Sequence, residues 1–140
     1  MSFLQPTHYT SWTVNSAALW LRLGLGVAMI PHGYDKLTHF AEYQSSFMQF
    51  LGLSDSVSLA LAIGAEFICS ILLMMGLLTR LALIPLVITA LVIVFVAHEG
   101  DIAGYGAAGF ALCIGYMTSL LLGPGTYSLD AIVFKPRRLF

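Results

Sequence analysis

One apolar stretch, long enough to cross a bilayer, carries an acidic residue near its middle. It runs from Leu59 to Arg80 and contains Glu66. A transmembrane helix needs about 20 apolar residues. A charge at that depth costs roughly 2.5–3.5 kcal/mol on insertion scales, so it normally faces a partner or a cavity. We therefore expect Glu66 to be buried beside another polar group.

Arg22 is the other strongly charged residue deep in an apolar run. With the two helices side by side, its depth differs from that of Glu66 by about 7 Å at ~1.5 Å per residue. We therefore predict a direct or water-linked ion pair. The pair could have a structural role and fix the packing of the two helices. Alternatively, it could form the polar floor of a ligand pocket, or Glu66 could be a carboxylate that takes up and releases a proton.

Composition places most of the chain in a lipid bilayer. Of the 140 residues, 59% are hydrophobic and 9% are charged, whereas soluble domains contain about 25% charged residues. A soluble protein of this size could not bury so much apolar surface. The net charge of −1 argues against a nucleic-acid partner, and the length fits one domain, residues 1–140.

We predict an all-α membrane protein: four transmembrane helices in an antiparallel bundle, with a short interfacial helix after the first. The predicted spans are about residues 16–33, 56–78, 81–98 and 102–122. The amphipathic segment between the first two spans ends in a turn at Gly52; re-entry of this segment as a pore lining is the alternative. In the first span, spacings of three and four place one set of residues on a single face: Arg22, Gly26, Met29, Gly33 and Lys36.

The distribution of lysine and arginine predicts the orientation. With four spans, Arg80 and the basic tail at 135–138 lie on the same side as the N-terminus, and the opposite side holds Lys36. The positive-inside rule then places both termini in the cytoplasm.

Several further groups are candidates for chemistry. At the outer ends of the spans, His32 and Lys36 lie on the same side as His98, where imidazoles and carboxylates could bind a metal or relay protons. Polar residues at span ends are also simply normal there. No HxxxH or HExxH spacing occurs, so we predict no metal.

On the cytoplasmic side, we predict a structural salt bridge from Arg80 to Asp130, near Tyr127, that ties the tail under the bundle. Aromatic and methionine side chains could line a flat apolar pocket for a quinone, or could simply face lipid and fill the bundle: Trp20, Met29, Phe47, Phe67, Met74, Met75 and Phe95. The isolated Cys69 and Cys113 fit buried small apolar residues rather than a disulfide.

Three segments, in order, resemble motifs of the DoxX family: LRLGLGVAMIPHGYDKL, GAEFICSILLMMGLLTRLA and GPGTYSLDA. The resemblance extends from about Leu19 to Ala131. Family positions fall on the following residues: Arg22, His32, Gly33, Lys36, Glu66, Gly76, Thr79, Arg80, Gly123, Gly125, Tyr127 and Asp130.

The resemblance implies a small four-helix protein of the bacterial inner membrane, of a family linked to quinone-dependent sulfur oxidation, terminal oxidases and oxidative or thiol stress. The sequence contains no dinucleotide-binding, haem or iron–sulfur motif, so we expect no intrinsic cofactor and no catalysis by this chain alone. The favoured function is a subunit of a membrane redox system that binds a quinone near Arg22 and Glu66. The alternatives are a non-catalytic partner of other membrane proteins or of its own copies, and a pathway for protons or small solutes.

Overall fold

The computed structural model describes residues 10–134, which are largely helical and contain no β-strand. The helices of this part are α1 (Ser11–Thr38), α2 (Phe40–Gln44), α3 (Asp55–Met75), α4 (Thr79–Ala97), α5 (Ala107–Leu122) and α6 (Leu129–Val133). Helices α1, α3 and α4 are long and apolar enough to cross a membrane, and α5 is a shorter apolar helix. The all-helical class is therefore confirmed.

The first helix continues beyond the predicted end at Gly33 and reaches Thr38. A Cβ atom on Gly33 would lie 2.6 Å from the backbone nitrogen of Phe67. Gly33 therefore serves the close approach of two helices, as small residues do in membrane bundles, and does not end α1. Pro31 is also accommodated inside the helix. As a result, Lys36 belongs to α1 and not to the following loop.

The fourth predicted span begins later than expected, at Ala107 instead of residue 102. The intervening residues form turns around Asp101, whose carboxylate accepts hydrogen bonds from the backbone N–H groups of Gly104 and Tyr105, at 2.8 and 3.1 Å. An Asp side chain that binds nearby N–H groups favours turns over helix. The predicted short helix after the first span is α2, and Gly52 adopts φ +75° in the turn that follows it.

The long helices surround a common core. Helix α1 packs against α3 and α5, and α4 packs against the same two helices. The buried cluster between them comprises Leu25, Met29, Leu73, Leu83, Leu86, Ala90 and Tyr116. Large side chains such as Trp20, Phe95 and Leu121 are instead more than half exposed. An apolar surface of this extent is stable only against lipid or another protein.

The two ends of the bundle differ in structure. One end, called the turn end below, contains the Gly76–Leu78 turn and the segment after α5. These two contact each other, and the N–H of Asp130 donates to the carbonyl of Gly76 at 2.8 Å. The other end, called the loop end below, contains the longer connections, residues 39–54 and 98–106. The basic tail residues Lys135, Arg137 and Arg138, on which the predicted orientation partly rests, lie outside the described residues.

Candidate functional site

A salt bridge joins α1 to α3 near the loop end. The ammonium of Lys36 donates to Oε2 of Glu66 at 2.6 Å. The Glu66 side chain is 3% exposed and the Lys36 side chain 20% exposed. Each charge neutralises the other, which reduces the cost of placing either one in an apolar environment.

The sequence positions this pair through two local features. Gly33 lies one turn before Lys36 and allows α1 to approach the backbone at Glu66 and Phe67. Glu66 itself lies in a π-helical segment of α3, Gly64–Cys69. Such segments interrupt the regular spacing of side chains and occur often at functional sites. The prediction that Glu66 is buried beside another polar group is correct, but that group is Lys36 and not Arg22.

The pair borders a cavity of about 360 Å³. Its wall consists almost entirely of apolar side chains from the loop after α2, from α3 and from α4, and Lys36 and Glu66 are the charged residues in it. The lining residues are Lys36, Phe47, Met48, Phe50, Ser58, Leu61, Ala62, Ala65, Glu66, Pro85, Ile88, Thr89, Val92, Ile93 and Ala97. Ligand pockets typically have volumes of about 300–1,000 Å³ and combine apolar walls with a few polar groups.

The loop over the cavity is held in place by hydrogen bonds to α3. The backbone N–H of Phe50 donates to Ser58 Oγ at 2.9 Å, and Gln44 Nε2 donates to Ser56 Oγ at 2.6 Å. Both serines lie in the first turns of α3. Ser58 and Met48 were not predicted as site residues. The amphipathic pattern of the loop was the available signal, but it does not show which residues face inward.

The predicted ion pair between Arg22 and Glu66 is wrong. Arg22 lies fourteen residues before Lys36 on the same helix, which is roughly 21 Å at 1.5 Å per residue, and Lys36 is the residue that contacts Glu66. The prediction failed because it ended α1 at Gly33 and so left Lys36 outside the membrane-spanning helix.

Arg22 instead lies at the turn end. Its side chain is fully buried, and Nη2 donates to the backbone carbonyl of Tyr127 at 2.5 Å. Nη1 of Arg22 lies beside Gly76, in the space that the Cβ atom of any other residue at position 76 would occupy. The guanidinium thus holds the segment after α5 against α1 and the α3–α4 turn.

The predicted salt bridge between Arg80 and Asp130 is also absent from residues 10–134. The carboxylate of Asp130 accepts from the backbone N–H groups of Leu78 and Thr79, at 2.7 and 2.9 Å, and so caps α4. Burial alone would raise the pKa of Asp130, but the hydrogen bonds from Thr79 and Leu78 and the charge of Arg22 outweigh burial and lower it. Asp130 does tie the segment after α5 to the bundle, through backbone groups.

The remaining predicted residues lie apart from the cavity. His32 is exposed, and His98 is half-buried at the end of α4; neither lines the cavity. Within residues 10–134, no three His, Cys, Asp or Glu side chains are grouped to hold a metal ion. Cys69 and Cys113 are not joined to each other.

Of the aromatic and methionine residues predicted to line a pocket, Phe47 lines the cavity. Met29 belongs to the buried core instead, and Trp20 and Phe95 are 73% and 61% exposed. These residues were grouped by type alone, without regard to the helix face on which each lies.

Comparison with known proteins agrees with the resemblance of the first two motifs; the third, GPGTYSLDA, lies outside the matched range. No curated protein and no solved structure matches the chain. The sequence profile of the DoxX family matches residues 17–99, more than half of the chain, and this range contains Arg22, Lys36 and Glu66. The chain therefore belongs to the DoxX family of membrane proteins.

Proposed function

We propose that this protein binds a quinone in the cavity beside Lys36 and Glu66, as a subunit of a membrane redox system. The observation that carries the proposal is one buried ion pair in the wall of an otherwise apolar cavity. An apolar cavity favours a lipid-like molecule, and the ion pair offers a polar group at one place. A quinone has both features: an apolar body and two ring oxygens.

The pair can bind the quinone head in either of its oxidation states. Lys36 uses one ammonium proton for Glu66, and its other protons can be donated to a quinone carbonyl. Oε1 of Glu66 has no hydrogen-bond partner within residues 10–134 and can accept from a quinol hydroxyl. The same two side chains therefore fit a carbonyl acceptor and a hydroxyl donor.

We assign the electron transfer itself to a partner protein. Reduction of a quinone to a quinol takes two electrons and two protons, and the sequence contains no motif for an electron-carrying cofactor. This chain would bind and orient the quinone, and Glu66 or Lys36 would exchange protons with it. The partner would be held against the exposed apolar surface of the bundle. Alternatively, further copies of this chain would cover that surface.

The proposed placement in the membrane is a single domain of four alternating spans in a bacterial inner membrane, with α5 as the fourth span and both termini in the cytoplasm. Its support is the contact of the α3–α4 turn with the segment after α5, as expected if the start of α4 and the end of α5 lie on the same side of the membrane. Arg80 lies on that side and Lys36 near the other, which fits the positive-inside rule.

Quinone binding is tested by mass spectrometry of the gently solubilised protein. We expect quinone to co-purify with the native chain and to be lost on Ala62→Phe, because Ala62 lines the cavity and the larger side chain fills it. Ala60→Phe is the matched control, since Ala60 lies on the same helix but is exposed and outside the cavity.

The polar contact is tested by Glu66→Gln and Lys36→Met, with Glu99→Gln as an exposed control. Loss of quinone from the first two variants, with helix content and elution volume unchanged, supports the proposal. Equal quinone content in Ala62→Phe and the native chain would refute it. Protein chains that co-purify without any quinone would favour the non-catalytic partner role.

A further inference from the structure

We propose that the turn end carries a binding site for an anionic phospholipid, with Arg80 holding the lipid phosphate. A groove of about 520 Å³ opens there between the start of α4 and the segment after α5. Its apolar wall includes Leu78, Leu81, Pro124 and Phe134, and Arg80 is its basic residue. This groove is separate from the cavity at Lys36 and Glu66.

The position of Asp130 leaves Arg80 available for a ligand. Asp130 lines the same groove, but its two carboxylate oxygens accept from the N–H groups of Leu78 and Thr79. No carboxylate within residues 10–134 lies in salt-bridge range of Arg80, which is exposed. Nη2 of Arg80 lies 3.6 Å from the place where a Cβ atom on Gly123 would be, an ordinary contact distance, so the guanidinium lies beside the residue that ends α5.

The location favours a lipid over a soluble anion. Arg80 is the second residue of α4, a helix long enough to span a membrane, and therefore lies near the level of lipid headgroups. Leu81 is 62% exposed and Phe134 58% exposed, which provides apolar surface for acyl chains directly beside the cation. A guanidinium binds phosphate oxygens through two parallel hydrogen bonds.

The basic residues that follow the groove in the sequence favour an anionic headgroup over a zwitterionic one. The sequence continues after Phe134 with Lys135, Arg137 and Arg138. Anionic lipid is attracted by about 1 kcal/mol for each lysine or arginine near the membrane surface. A zwitterionic lipid carries its own ammonium group beside the phosphate and gains less from this attraction.

The test is a native mass spectrometry titration of the purified protein with phosphatidylglycerol and phosphatidylcholine. We expect phosphatidylglycerol to bind more tightly. Arg80→Gln should weaken it about fivefold, which corresponds to the loss of one surface cation, and should weaken phosphatidylcholine binding less. Arg80→Lys should retain part of the affinity. Equal phosphatidylglycerol binding by Arg80→Gln and the native chain would overturn the proposal.

A second variant tests the groove while keeping Arg80. Ala131→Glu introduces a carboxylate into the groove and should reduce phosphatidylglycerol binding as Arg80→Gln does. Ala103→Glu, at an exposed position of the loop end, is the matched control and should leave it unchanged. If neutralising Lys135, Arg137 and Arg138 abolishes the preference for phosphatidylglycerol while Arg80→Gln does not, the tail binds the lipid and the groove does not.

A competition experiment with inorganic phosphate distinguishes a lipid-binding site from a site for free phosphate. Inorganic phosphate at millimolar concentration should displace little phosphatidylglycerol, because it makes no apolar contact with Leu81 or Phe134. Full displacement by phosphate would identify an anion site instead of a lipid site. Quinone content is unaffected by either result, so this proposal and the proposed function fail independently.

Discussion

Lys36 and Glu66 are joined at 2.6 Å across thirty residues of sequence. The segment between them contains α2 and the loop residues Phe47, Met48 and Phe50, which cover the adjoining cavity. The salt bridge thus fixes both ends of the segment that forms one wall of the cavity. Its removal should affect the stability of the bundle and the shape of the cavity together.

The first prediction concerns the coupling between these two charges. Glu66→Gln and Lys36→Met should each destabilise the protein by about 2–3 kcal/mol. This is below the 3–5 kcal/mol typical of breaking a fully buried pair, because the Lys36 side chain is one-fifth exposed. The double variant should be less destabilised than the sum of the single variants. Unfolding of all four proteins in the same detergent checks this, and additive effects would show that the side chains do not interact.

The second prediction separates two glycines of α1. Gly33→Ala should destabilise the protein by about 1–3 kcal/mol and reduce quinone content, since the new Cβ would lie 2.6 Å from a backbone nitrogen of α3 and push the helices apart. Gly24→Ala meets nothing within 4 Å and should be neutral or stabilising by up to about 1 kcal/mol. The midpoint of thermal unfolding distinguishes the two. Equal effects would mean that α1 and α3 are not in close contact at Gly33.

The third prediction is the pH dependence from Asp130. The pKa of this carboxyl in the folded protein is lowered from its ordinary value of 3.8, so the folded state favours the ionised form. Its contribution to stability is therefore fully present above pH 3.8 and lost as the pH falls through the lowered pKa. Asp130→Ala should cost about 1–2 kcal/mol at neutral pH and reduce the loss of stability in acid.

Acid unfolding of the native chain, Asp130→Ala and Glu99→Gln measures this contribution. Glu99 is exposed at the loop end, and its variant should follow the acid curve of the native chain. An unchanged curve for Asp130→Ala would show that Asp130 does not stabilise the start of α4.

The fourth prediction concerns Arg22 and the segment after α5. Arg22→Lys should speed hydrogen exchange of the backbone amides from Thr126 to Asp130, because a lysine cannot reproduce the planar guanidinium that donates to the carbonyl of Tyr127. The amides around Glu66 should be unaffected. Exchange measured by mass spectrometry reports both regions at once. Faster exchange only around Glu66 would contradict the assignment of Arg22 to the turn end.

The helices were predictable from sequence because apolar length alone identifies most of them. The burial of Arg22 and Glu66 was also predictable, since an isolated charge in an apolar run must be covered. Likewise, spacings of three and four predicted one face of α1. Four of its members, Arg22, Gly26, Met29 and Gly33, are buried, and the fifth, Lys36, is partly exposed.

The partners of the charges were not predictable, because depth along a helix depends on where the helix ends. Pro31 and Gly33 indicate a helix end by residue type, but here a neighbouring backbone uses Gly33 for close packing. That error of five residues moved Lys36 out of the helix and made Arg22 the nearest available cation. Similarly, the opposite charges of Arg80 and Asp130 predicted a salt bridge, whereas the unpaired N–H groups at the start of α4 bind the carboxylate.

The cap of α4 has a consequence for how the chain is made. Leu78 and the carboxylate that binds its backbone N–H group are separated by 52 positions, so Asp130 is translated well after the amides that it binds. Until the segment after α5 packs against the α3–α4 turn, the N–H groups of Leu78 and Thr79 lack this acceptor. The start of α4 is thus completed by a residue translated after both α4 and α5, so the turn end can assemble only once both helices have been made.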